Sequence, residues 1–465
     1  MKPNVIDEIV KNDLCIGCGT CAGVCPQKIL KIQDNDYGEY TPSEVQVCDS
    51  HCSMCLEVCP FSSNENEKQL GAKIYGSKEG IKYLPETGHY LDSYVGYSNE
   101  FRQSSASGGM ATWLLTKLLK EDIVDYVICP IPQKNPEKLF NFKILSNEDS
   151  VKAASGSVYY PVEMSEVIQK ILEIPGRYAI TGLPCFIKAL RLATQKNRKL
   201  RERIVFTIGL VCGQLKSKNY TKYIAALAGN EDLKKIQSVY YRGKSSEKPA
   251  SNFYFQSISE HGSQHQIFWN EGVSEAWVNR WFTPNVCNYC DDIFAELADV
   301  TFMDAWLPEY SKDSKGTSLL IVRSPEILTF IQEGIEKREI NFNKVSVEKV
   351  IQSQAGVLEI KRKQLSYRLY LAEQKDRKTP EKRVEARNDI GILKKREVKL
   401  KMRMQEESKE LFLEHYQNHT LDIKTFRAGM HPYIKQIRQL RLLGRFTFPI
   451  RLIKKISKVE GKKNE

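Results

Sequence analysis

The sequence predicts an α/β body built on a mixed, mostly parallel sheet, with a small α+β domain before it and a helical, basic extension after it. Three observations lead to this prediction. Apolar runs alternate with helical patterns through the middle of the 465-residue chain. Eight of the 13 cysteines fall within the first 64 residues, between short polar loops. Residues 361–465 hold 29 Lys and Arg against 13 Asp and Glu, with helical periodicity.

The alternation in the body is between strand-like and helix-like segments. The runs VDYVIC, RYAITG and RIVFTIGLVC suit buried strands, whereas ATWLLTKLLKE and CFIKALRLATQ have helical spacing. Strands that alternate with helices favour parallel pairing through crossover helices. We therefore divide the chain into an N-terminal domain (1–64), a linker (65–85), the body (86–360) and the extension (361–465).

The composition excludes several classes of protein. With 41% apolar residues the chain can bury a large core, so wholesale disorder is excluded. No apolar run approaches the roughly 18 residues of a membrane span, and the N-terminus lacks the apolar core of a secretory signal. A cytoplasmic location is therefore expected, and in a reducing compartment clustered cysteines favour metal ligation over disulfides.

The net charge of +12 comes from the extension, because the first 360 residues carry a net charge of −4. Near its end, Phe448, Leu452, Ile456 and Val459 recur at helical spacing, among the basic residues Arg451, Lys454, Lys455 and Lys458. Such a helix can contact an anionic membrane surface, which would place the chain at the inner face of the membrane, or it can pack on the body or a partner. Regularly interleaved aromatic residues are missing, so no nucleic-acid partner is expected.

Two cysteine runs give the N-terminal domain its identity as a bacterial-type dicluster ferredoxin domain. The first run is C-x2-C-x2-C-x3-C-P, and the second repeats it with a first gap that is one residue longer. In such domains the fourth cysteine of each run serves the other cluster, which predicts two 4Fe-4S clusters. The predicted ligands are Cys15, Cys18, Cys21 and Cys59 for one cluster, and Cys25, Cys48, Cys52 and Cys55 for the other.

Two alternatives remain open in this domain. Zinc could replace the clusters, although zinc ribbons pair two separated C-x2-C hairpins rather than two quartets that each end in Cys-Pro. The longer gap also contains Asp49 and His51, and either side chain could replace Cys48 as a ligand.

The body contains a second group of cysteines. Cys185 and Cys212 follow predicted strands, at the edge of the sheet where an open α/β fold has its functional crevice. Cys287 and Cys290 form a C-x2-C pair that needs partners from elsewhere. These four residues could converge on a third cluster, or they could be two core thiols and a zinc-binding or empty pair. Cys129, which ends VDYVIC, is predicted to be a core residue.

Two small-residue loops are candidates for cofactor binding. Residues 104–110 (SSASGGM) open a helix, and the free N–H groups at a helix start suit a phosphate or an electron-rich ring edge. An ordinary serine cap is the alternative. Residues 153–157 (AASGS) precede Tyr159 and could supply hydroxyl and aromatic contacts to a flavin, or form a simple turn.

The order of these motifs resembles that of the family of coenzyme F(420) hydrogenase/dehydrogenase beta subunits, here with a ferredoxin domain in the same chain. The residues that carry the resemblance are SSASGGMATWLLTKLLKEDIVDYVI, ASGSVYYPVE, ITGLPCFIKAL, IGLVCGQLKS, YRGK, CNYCDDIFAELADVTFMDAW and GTSLLIVRS. Together with the cysteine runs they span residues 1 to about 330. One departure is Met303, which stands before Asp304 and Trp306 where the family usually has glycine.

The resemblance implies an iron–sulfur flavoprotein in which FAD exchanges electrons with clusters and, in characterised members, with coenzyme F(420). It implies a third 4Fe-4S cluster on Cys185, Cys212, Cys287 and Cys290. It also implies that the flavin is lined by Ser105, Ser107, Gly108 and Gly109, with Ser157 and Tyr159 as further contacts.

Two functions follow from these expectations. The first is an oxidoreductase that passes electrons between clusters and FAD, and on to a redox partner protein or a small hydride carrier. The alternative is an electron-carrier module that docks to a partner enzyme and has no turnover alone. No side chain is required as a nucleophile in either case.

Overall fold

The computed structural model describes residues 4–48, 52–62 and 65–460, with side chains described up to residue 444. Seventeen α-helices and seventeen strands are assigned within these ranges. The strands are β1 Leu30–Asp34, β2 Tyr40–Glu44, β3 Lys82–Leu84, β4 Gly88–Tyr90, β5 Asp92–Ser98, β6 Tyr126–Pro132, β7 Phe140–Leu145, β8 Tyr178–Gly182, β9 Ile204–Leu210, β10 Ile236–Gly243, β11 Tyr254–Ser259, β12 Gln264–Phe268, β13 Val300–Asp304, β14 Ser318–Val322, β15 Ile340–Lys344, β16 Tyr416–Gln417 and β17 Thr420–Leu421.

The helices connect and cover these strands. They are α1 Thr20–Gly23, α2 Met54–Glu57, α3 Glu67–Tyr75, α4 Met110–Lys120, α5 Glu148–Ala153, α6 Ser165–Glu173, α7 Pro184–Lys196, α8 Arg198–Arg203, α9 Lys218–Leu227, α10 Val273–Val278, α11 Pro308–Ser311, α12 Pro325–Glu336, α13 Val347–Ser353, α14 Ala355–Leu358, α15 Gln364–Glu373, α16 Ile392–His415 and α17 Ile423–Glu460. Short 3-10 turns (Leu233–Lys235, Trp269–Glu271 and Asn285–Tyr289) and π-helical turns (Ile6–Val10 and Glu359–Lys363) complete the assignment.

The body is organised around an eight-stranded sheet in the order β15-β5-β14-β13-β9-β8-β6-β7. The neighbouring strands β13, β9, β8 and β6 are parallel, as predicted from the alternation of strands and helices. Strand β5 runs in the same direction, whereas β14, β15 and β7 pair antiparallel with their neighbours. The sheet is therefore mixed, with its parallel part at the positions where the predicted strands lie.

Apolar cores cover both faces of this sheet, which explains why β8 and β14 are buried along their whole length. On one face, Trp113 of α4 and Ile327 of α12 belong to a core that includes Ala179 of β8. On the other face, Ile187 of α7 packs in a core that includes Ile180, the next residue of β8. Successive side chains of β8 therefore enter the two cores in turn, as the two-residue period of a pleated strand requires.

The N-terminal domain shares its core with the body. The core that contains Ile180 also contains Val5 and Val58, and the backbone N–H of Met164 in the body donates to the carbonyl of Cys18 at 2.9 Å. Residues 65–85, predicted as a linker, form α3 and β3 between short turns. Tyr75 of α3 is fully buried, and its hydroxyl donates to the carbonyl of Leu297 at 2.9 Å. The segment is thus packed against the body along part of its length.

The extension is helical, with α15, α16 and α17 as its main elements. Phe412 of α16 and Phe426 of α17 are buried, and both join the core that the N-terminal domain shares with the body. None of the described helices is both long and apolar enough to cross a membrane. The apolar and basic side chains named above between Phe448 and Val459 lie outside the described residues, so their predicted membrane contact stays a prediction.

Candidate metal centres and cofactor cleft

Four cysteines of the N-terminal domain line one cavity, which we call the inner ferredoxin cavity. They are Cys15, Cys18, Cys21 and Cys59. The loop between Cys15 and Cys18 turns tightly enough for this because Gly17 and Gly19 adopt left-handed φ values of 72° and 78°. The backbone N–H of Gly17 donates to the sulfur of Cys15 at 3.3 Å. Three sulfurs of the first run thus face one space, together with the last cysteine of the second run.

A second cavity is lined by the remaining four cysteines of this domain. We call it the outer ferredoxin cavity, and its cysteines are Cys25, Cys48, Cys52 and Cys55. Cys52 is exposed, and the other three are partly buried. The grouping is the crossed one that the two sequence runs predict. Asp49 and His51, the alternative ligands, lie outside the described residues.

The four later cysteines, Cys185, Cys212, Cys287 and Cys290, meet in a third cavity, the body cavity. Cys185 stands at the start of α7, directly after β8, and Cys212 follows β9. Cys287 and Cys290 come from the 3-10 turn Asn285–Tyr289 and the residue after it. Because β8 and β9 are adjacent and parallel, their carboxyl ends bring two of these thiols to the same edge of the sheet. Cys129 lies apart, buried in β6.

Burial makes these thiols poor acids in the absence of a counter-charge. Burial raises the pKa of Cys59 and of Cys212 to about 12, and it also raises the pKa of Cys18 and of Cys287. Such groups ionise when a metal takes the place of the proton. Among the described residues, no three His, Cys, Asp or Glu side chains approach closely enough to hold a single metal ion. Four thiols that surround one space are instead the ligand set of a polynuclear iron–sulfur cluster.

The body cavity has a cationic wall that the sequence did not indicate. Lys361 lines the cavity, and its Nζ donates to Cys290 Sγ at 3.0 Å and to the carbonyl of Asp292 at 2.8 Å. Lys361 is the first residue of the predicted extension. Nothing in the local pattern distinguishes it from the other basic residues there, because its partner lies 71 positions earlier in the chain.

The inner ferredoxin cavity and the body cavity are neighbours. Ile16 and Phe61 line both of them, so the two spaces adjoin at these side chains. The outer and inner cavities are linked by a short segment of chain. Cys55 of α2 lines the outer cavity, and Cys59, which follows the end of α2, lines the inner one. The three cavities therefore follow one another from the exposed Cys52 towards the sheet edge.

The serine- and glycine-rich loop lies after β5, at the same edge of the sheet. Ser105 and Ser107 are partly exposed, whereas Gly108 and Gly109 are buried. The N–H of Gly108 donates to Ser318 Oγ at 3.1 Å, and a Cβ on Gly108 would stand 2.8 Å from the N of Ser318. Gly109 has a left-handed φ of 78° against Phe101. Packing of the loop against its neighbours thus accounts for both glycines, and the two serines are the members of this group that face outward.

The second small-residue loop reaches the same place. Ser155 joins the two loops, because its Oγ lies 2.7 Å from Ser105 Oγ. Ser157 and the partly buried Tyr159 follow it, and the positive charge of Arg242 acts on the Tyr159 phenol against the effect of burial, which raises its pKa. All the sequence-predicted cofactor residues therefore gather around the end of β10, where Arg242 lies. We call this region the cleft.

Two cations of the cleft, Arg242 and Lys244, belong to the YRGK segment, but no role could be predicted for them from the sequence. Arg242 makes a two-point ion pair with Asp304 at 2.7 and 3.0 Å, and its Nε has no hydrogen-bond partner. Lys244 donates to the carbonyl of Ser107 at 2.9 Å. Burial, with the charges of Arg242 and Arg102, lowers the pKa of Lys244 to about 8. An excess of cations beside the two serines fits a phosphate-bearing cofactor.

A chain of contacts connects the cleft to the body cavity. The ring of Tyr159 lies 4.7 Å from that of Trp277, measured between centroids. The carbonyl of Trp277 accepts a hydrogen bond of 2.7 Å from Gln214, and Gln214 lines the body cavity.

Met303, the departure from the family pattern, is buried in an apolar core with Val95, and the Asp304 side chain beside it still reaches Arg242.

Family models match both parts of the chain. A model for the N-terminal part of the coenzyme F(420) hydrogenase/dehydrogenase beta subunit matches residues 93–169, and a model for the C terminus of the same beta subunit matches residues 176–348. Together they cover more than half of the chain. A 4Fe-4S dicluster domain model matches residues 8–68.

Individual relatives share less of their length. A subunit of the F(420)H(2) dehydrogenase of Methanosarcina mazei is 26% identical over 220 residues, which are 45% of this chain and 56% of that protein. The coenzyme F(420)-dependent sulfite reductase of Methanocaldococcus jannaschii is 24% identical over 367 residues, which are 72% of this chain and 49% of that protein. This chain therefore spans about half the length of these two relatives.

One solved structure has a comparable chain. It is a chain of the F(420)-reducing NiFe hydrogenase complex from Methanosarcina barkeri, 16% identical in sequence. The superposition covers 62% of this chain and 96% of the other, with a TM-score of 0.49.

Proposed function

Because the chain belongs to the family of coenzyme F(420) hydrogenase/dehydrogenase beta subunits, we propose that it is an iron–sulfur flavoprotein oxidoreductase. In this proposal three 4Fe-4S clusters occupy the three cysteine cavities and FAD occupies the cleft. When bound, the clusters carry single electrons and the flavin exchanges a hydride with a small carrier.

The observation that carries the proposal is the continuous series of sites from Cys52 to the cleft. Three quartets of cysteines lie in sequence, and the inner and body cavities share Ile16 and Phe61. Gln214 and Trp277 then lead from the body cavity to Tyr159. A protein that only buried metal for stability would not require its last quartet to adjoin a cationic cleft.

In the cleft, the side chains have distinct roles in binding. Lys244 would balance the charge of the cofactor phosphates, because Arg102 is already paired with Asp313 at 2.6 Å. Ser105 and Ser107 would contact the cofactor at the rim, where the Ser107 hydroxyl donates to the carbonyl of Thr317 at 3.0 Å. Tyr159 would contact the ring system with its aromatic face. Gly108 and Gly109 shape the loop rather than contact the cofactor, because both are buried against Ser318 and Phe101.

The two ends of the series would serve different partners. At the outer end, Cys52 is exposed, and Val45 and Val47, which adjoin the cavity-lining residues Glu44 and Cys48 in the chain, are 59% and 71% exposed. Exposed apolar residues next to a redox centre suit the docking of a redox partner protein. At the other end, the cleft would receive a small hydride carrier. The named relatives use coenzyme F(420), and a deazaflavin or a reduced nicotinamide is the class of carrier we propose here.

Metal and flavin analysis of the full chain tests the proposal. After anaerobic purification and reconstitution we expect about twelve iron atoms and one flavin per chain, from three four-iron clusters. The Cys185→Ser variant should retain about eight iron atoms. Cys129→Ser is the matched control, because Cys129 is a buried cysteine outside all three cavities, and its iron content should equal that of the wild type.

Two results would contradict the proposal. About eight iron atoms in the wild type, unchanged in Cys185→Ser, would exclude a cluster in the body cavity. Full iron content without flavin would instead leave the alternative function, an electron carrier that docks to another enzyme. A bound flavin that bleaches with a reduced nicotinamide or deazaflavin supports the oxidoreductase.

A further inference from the structure

Lys361 closes the body cavity from a part of the chain that the family models do not match, since they end at residue 348. Its side chain is buried, with 2% of the residue exposed. The ammonium group contacts Cys290 Sγ and a backbone carbonyl. Over the ranges that the structure describes, no carboxylate oxygen lies within 4.0 Å of its Nζ. The sulfurs of the cavity are therefore the counter-charge of Lys361.

Two buried arginines add positive charge behind the same cavity. Arg280 is 6% exposed, and its Nε and Nη2 have no hydrogen-bond partner. Once ionised by a bound cluster, the sulfurs of the body cavity, that of Cys287 first among them, would be the negative groups that act on Arg280. Arg368 is 2% exposed and donates only to backbone carbonyls, those of Asn288 at 2.7 Å and Ile360 at 2.8 Å. Neutral acceptors leave the charge of Arg368 uncompensated.

The neighbouring acids do not cancel these charges. Asp291 already has two cationic partners, Lys382 at 3.3 Å and Arg383 at 3.1 Å. Asp292 supplies at most one negative charge against the three cations Lys361, Arg280 and Arg368, and its Oδ2 accepts a hydrogen bond from the N–H of Glu296 at 3.1 Å. The balance of charge around the body cavity is therefore positive.

Among the described residues that line the two ferredoxin cavities, no basic side chain forms such a wall. The residues that line the inner cavity include no charged side chain, and Glu44 is the charged residue among those that line the outer cavity. The three cavities thus differ in electrostatic environment although each presents four cysteines.

We propose that Lys361, Arg280 and Arg368 hold the body cluster at a higher reduction potential than either ferredoxin cluster. Reduction adds a negative charge to a cluster, and buried cations and N–H···S hydrogen bonds stabilise the reduced form more than the oxidised form. The inference rests on the proposed function, because it requires a cluster in the body cavity. It makes the centre next to the cleft the strongest electron acceptor of the three, and it gives the extension a role in redox chemistry.

An anaerobic redox titration of the full chain, followed by electron paramagnetic resonance, tests the inference. The signal that is lost in Cys185→Ser identifies the body cluster. We expect its midpoint to be the most positive of the three. In Lys361→Gln the midpoint should move to more negative potential by a tenfold change in the reduction equilibrium, which is 59 mV for one electron. The other two midpoints should not move.

Two further variants separate charge from structure. Lys361→Arg keeps the charge and should retain most of the wild-type potential. Lys363→Gln is the matched control, since Lys363 lies two residues further on and its side chain is 75% exposed, and no midpoint should change. If Lys361→Gln loses the third cluster, Arg280→Gln measures the same effect from a residue that does not contact a sulfur.

A body-cluster midpoint at or below those of the ferredoxin clusters would overturn the inference. So would an unchanged midpoint in both Lys361→Gln and Arg280→Gln. Failure of the proposed function looks different, because then the wild type itself contains only about eight iron atoms and shows no third signal.

Discussion

Several basic side chains of the extension contact acidic or sulfur-bearing side chains in the protein interior. Lys409 pairs with the buried Glu39 at 2.6 Å, and Lys361 contacts Cys290. Glu397, on α16, shows the reverse arrangement, because its carboxylate lies 3.0 Å from Lys401 and 2.7 Å from Lys394. Burial alone would raise the pKa of Glu397, but these two lysines outweigh it and lower the pKa to about 2.

Glu397 therefore predicts a pH dependence of stability. A carboxylate whose pKa is lower in the folded state stabilises the fold above its unfolded pKa of about 4.3, and this contribution is lost as the pH falls towards 2. Glu397→Gln should cost about 1–2 kcal/mol at pH 7, less than the carboxylate shift alone implies, because burial also lowers the pKa of Lys401. Urea unfolding at pH 7 and at pH 3 checks this.

The difference between wild type and Glu397→Gln should shrink at the lower pH. Glu385→Gln, at an exposed pair with Arg387, is the control and should change neither value. A difference between wild type and Glu397→Gln that is independent of pH would show that the lysines do not stabilise the ionised form.

At the scale of elements, the N-terminal domain is joined to the body through close helix packing. α1 lies against α6, and a Cβ on Gly23 would stand 2.8 Å from the Ile168 Cβ and 3.1 Å from the carbonyl oxygen of Ser165. The short helix that carries Cys21 can approach the body this closely because residue 23 has no side chain. The position of the inner cavity beside the body cavity depends on this approach.

Gly23→Ala should therefore destabilise the protein by about 1–3 kcal/mol through overpacking. The thermal midpoint and the iron content of the anaerobically purified chain provide the measurement. Gly356→Ala is the matched control, because Gly356 also lies in a helix but a Cβ there would meet no atom within 4 Å. Equal midpoints for the two variants would mean that the α1–α6 contact can relax freely.

In the whole molecule, the uneven distribution of charge along the sequence is partly balanced by contacts between distant segments. The extension carries the positive excess, and part of it is buried against acidic residues of the other regions. Arg383 is the clearest case, since it contacts Asp291, Glu296 and Glu67 at 3.1, 2.8 and 3.6 Å, and all three acids are buried. Residues of the extension such as Arg383 are therefore part of the folded interior.

Removing Arg383 should be costly for this reason. Arg383→Met leaves buried carboxylates without their partner, and breaking a buried ion pair in this way costs about 3–5 kcal/mol. The free energy of unfolding in urea at constant ionic strength is the measurement. Arg387→Met, which removes an exposed arginine four residues away, should leave that free energy essentially unchanged. Similar values for both variants would contradict the interior role of Arg383.

Much of the fold and of the candidate site could be predicted before the structure. The strands around Ile128, Ile180 and Ile208 were predicted from apolar runs, and they are the parallel part of the sheet. The crossed grouping of Cys25 and Cys59 follows from local spacing alone. The antiparallel edge strands β7 and β15 and the packing of α3 were not predicted, because short or polar segments acquire their structure from neighbours that are distant in sequence.

The candidate ligand residues can be recognised from the sequence alone, because the cysteine runs, the strand ends and the small-residue loops are local patterns. The arrangement of the cavities and the charges beside them could be seen only in the folded molecule. Two of the cavities adjoin at Ile16 and Phe61, Lys361 contacts Cys290 at the body cavity, and Arg242 pairs with Asp304 at the cleft. The physical reason is that such pairs are far apart along the chain. Their contact depends on how the sheet edge and the extension pack together, and no spacing rule encodes that.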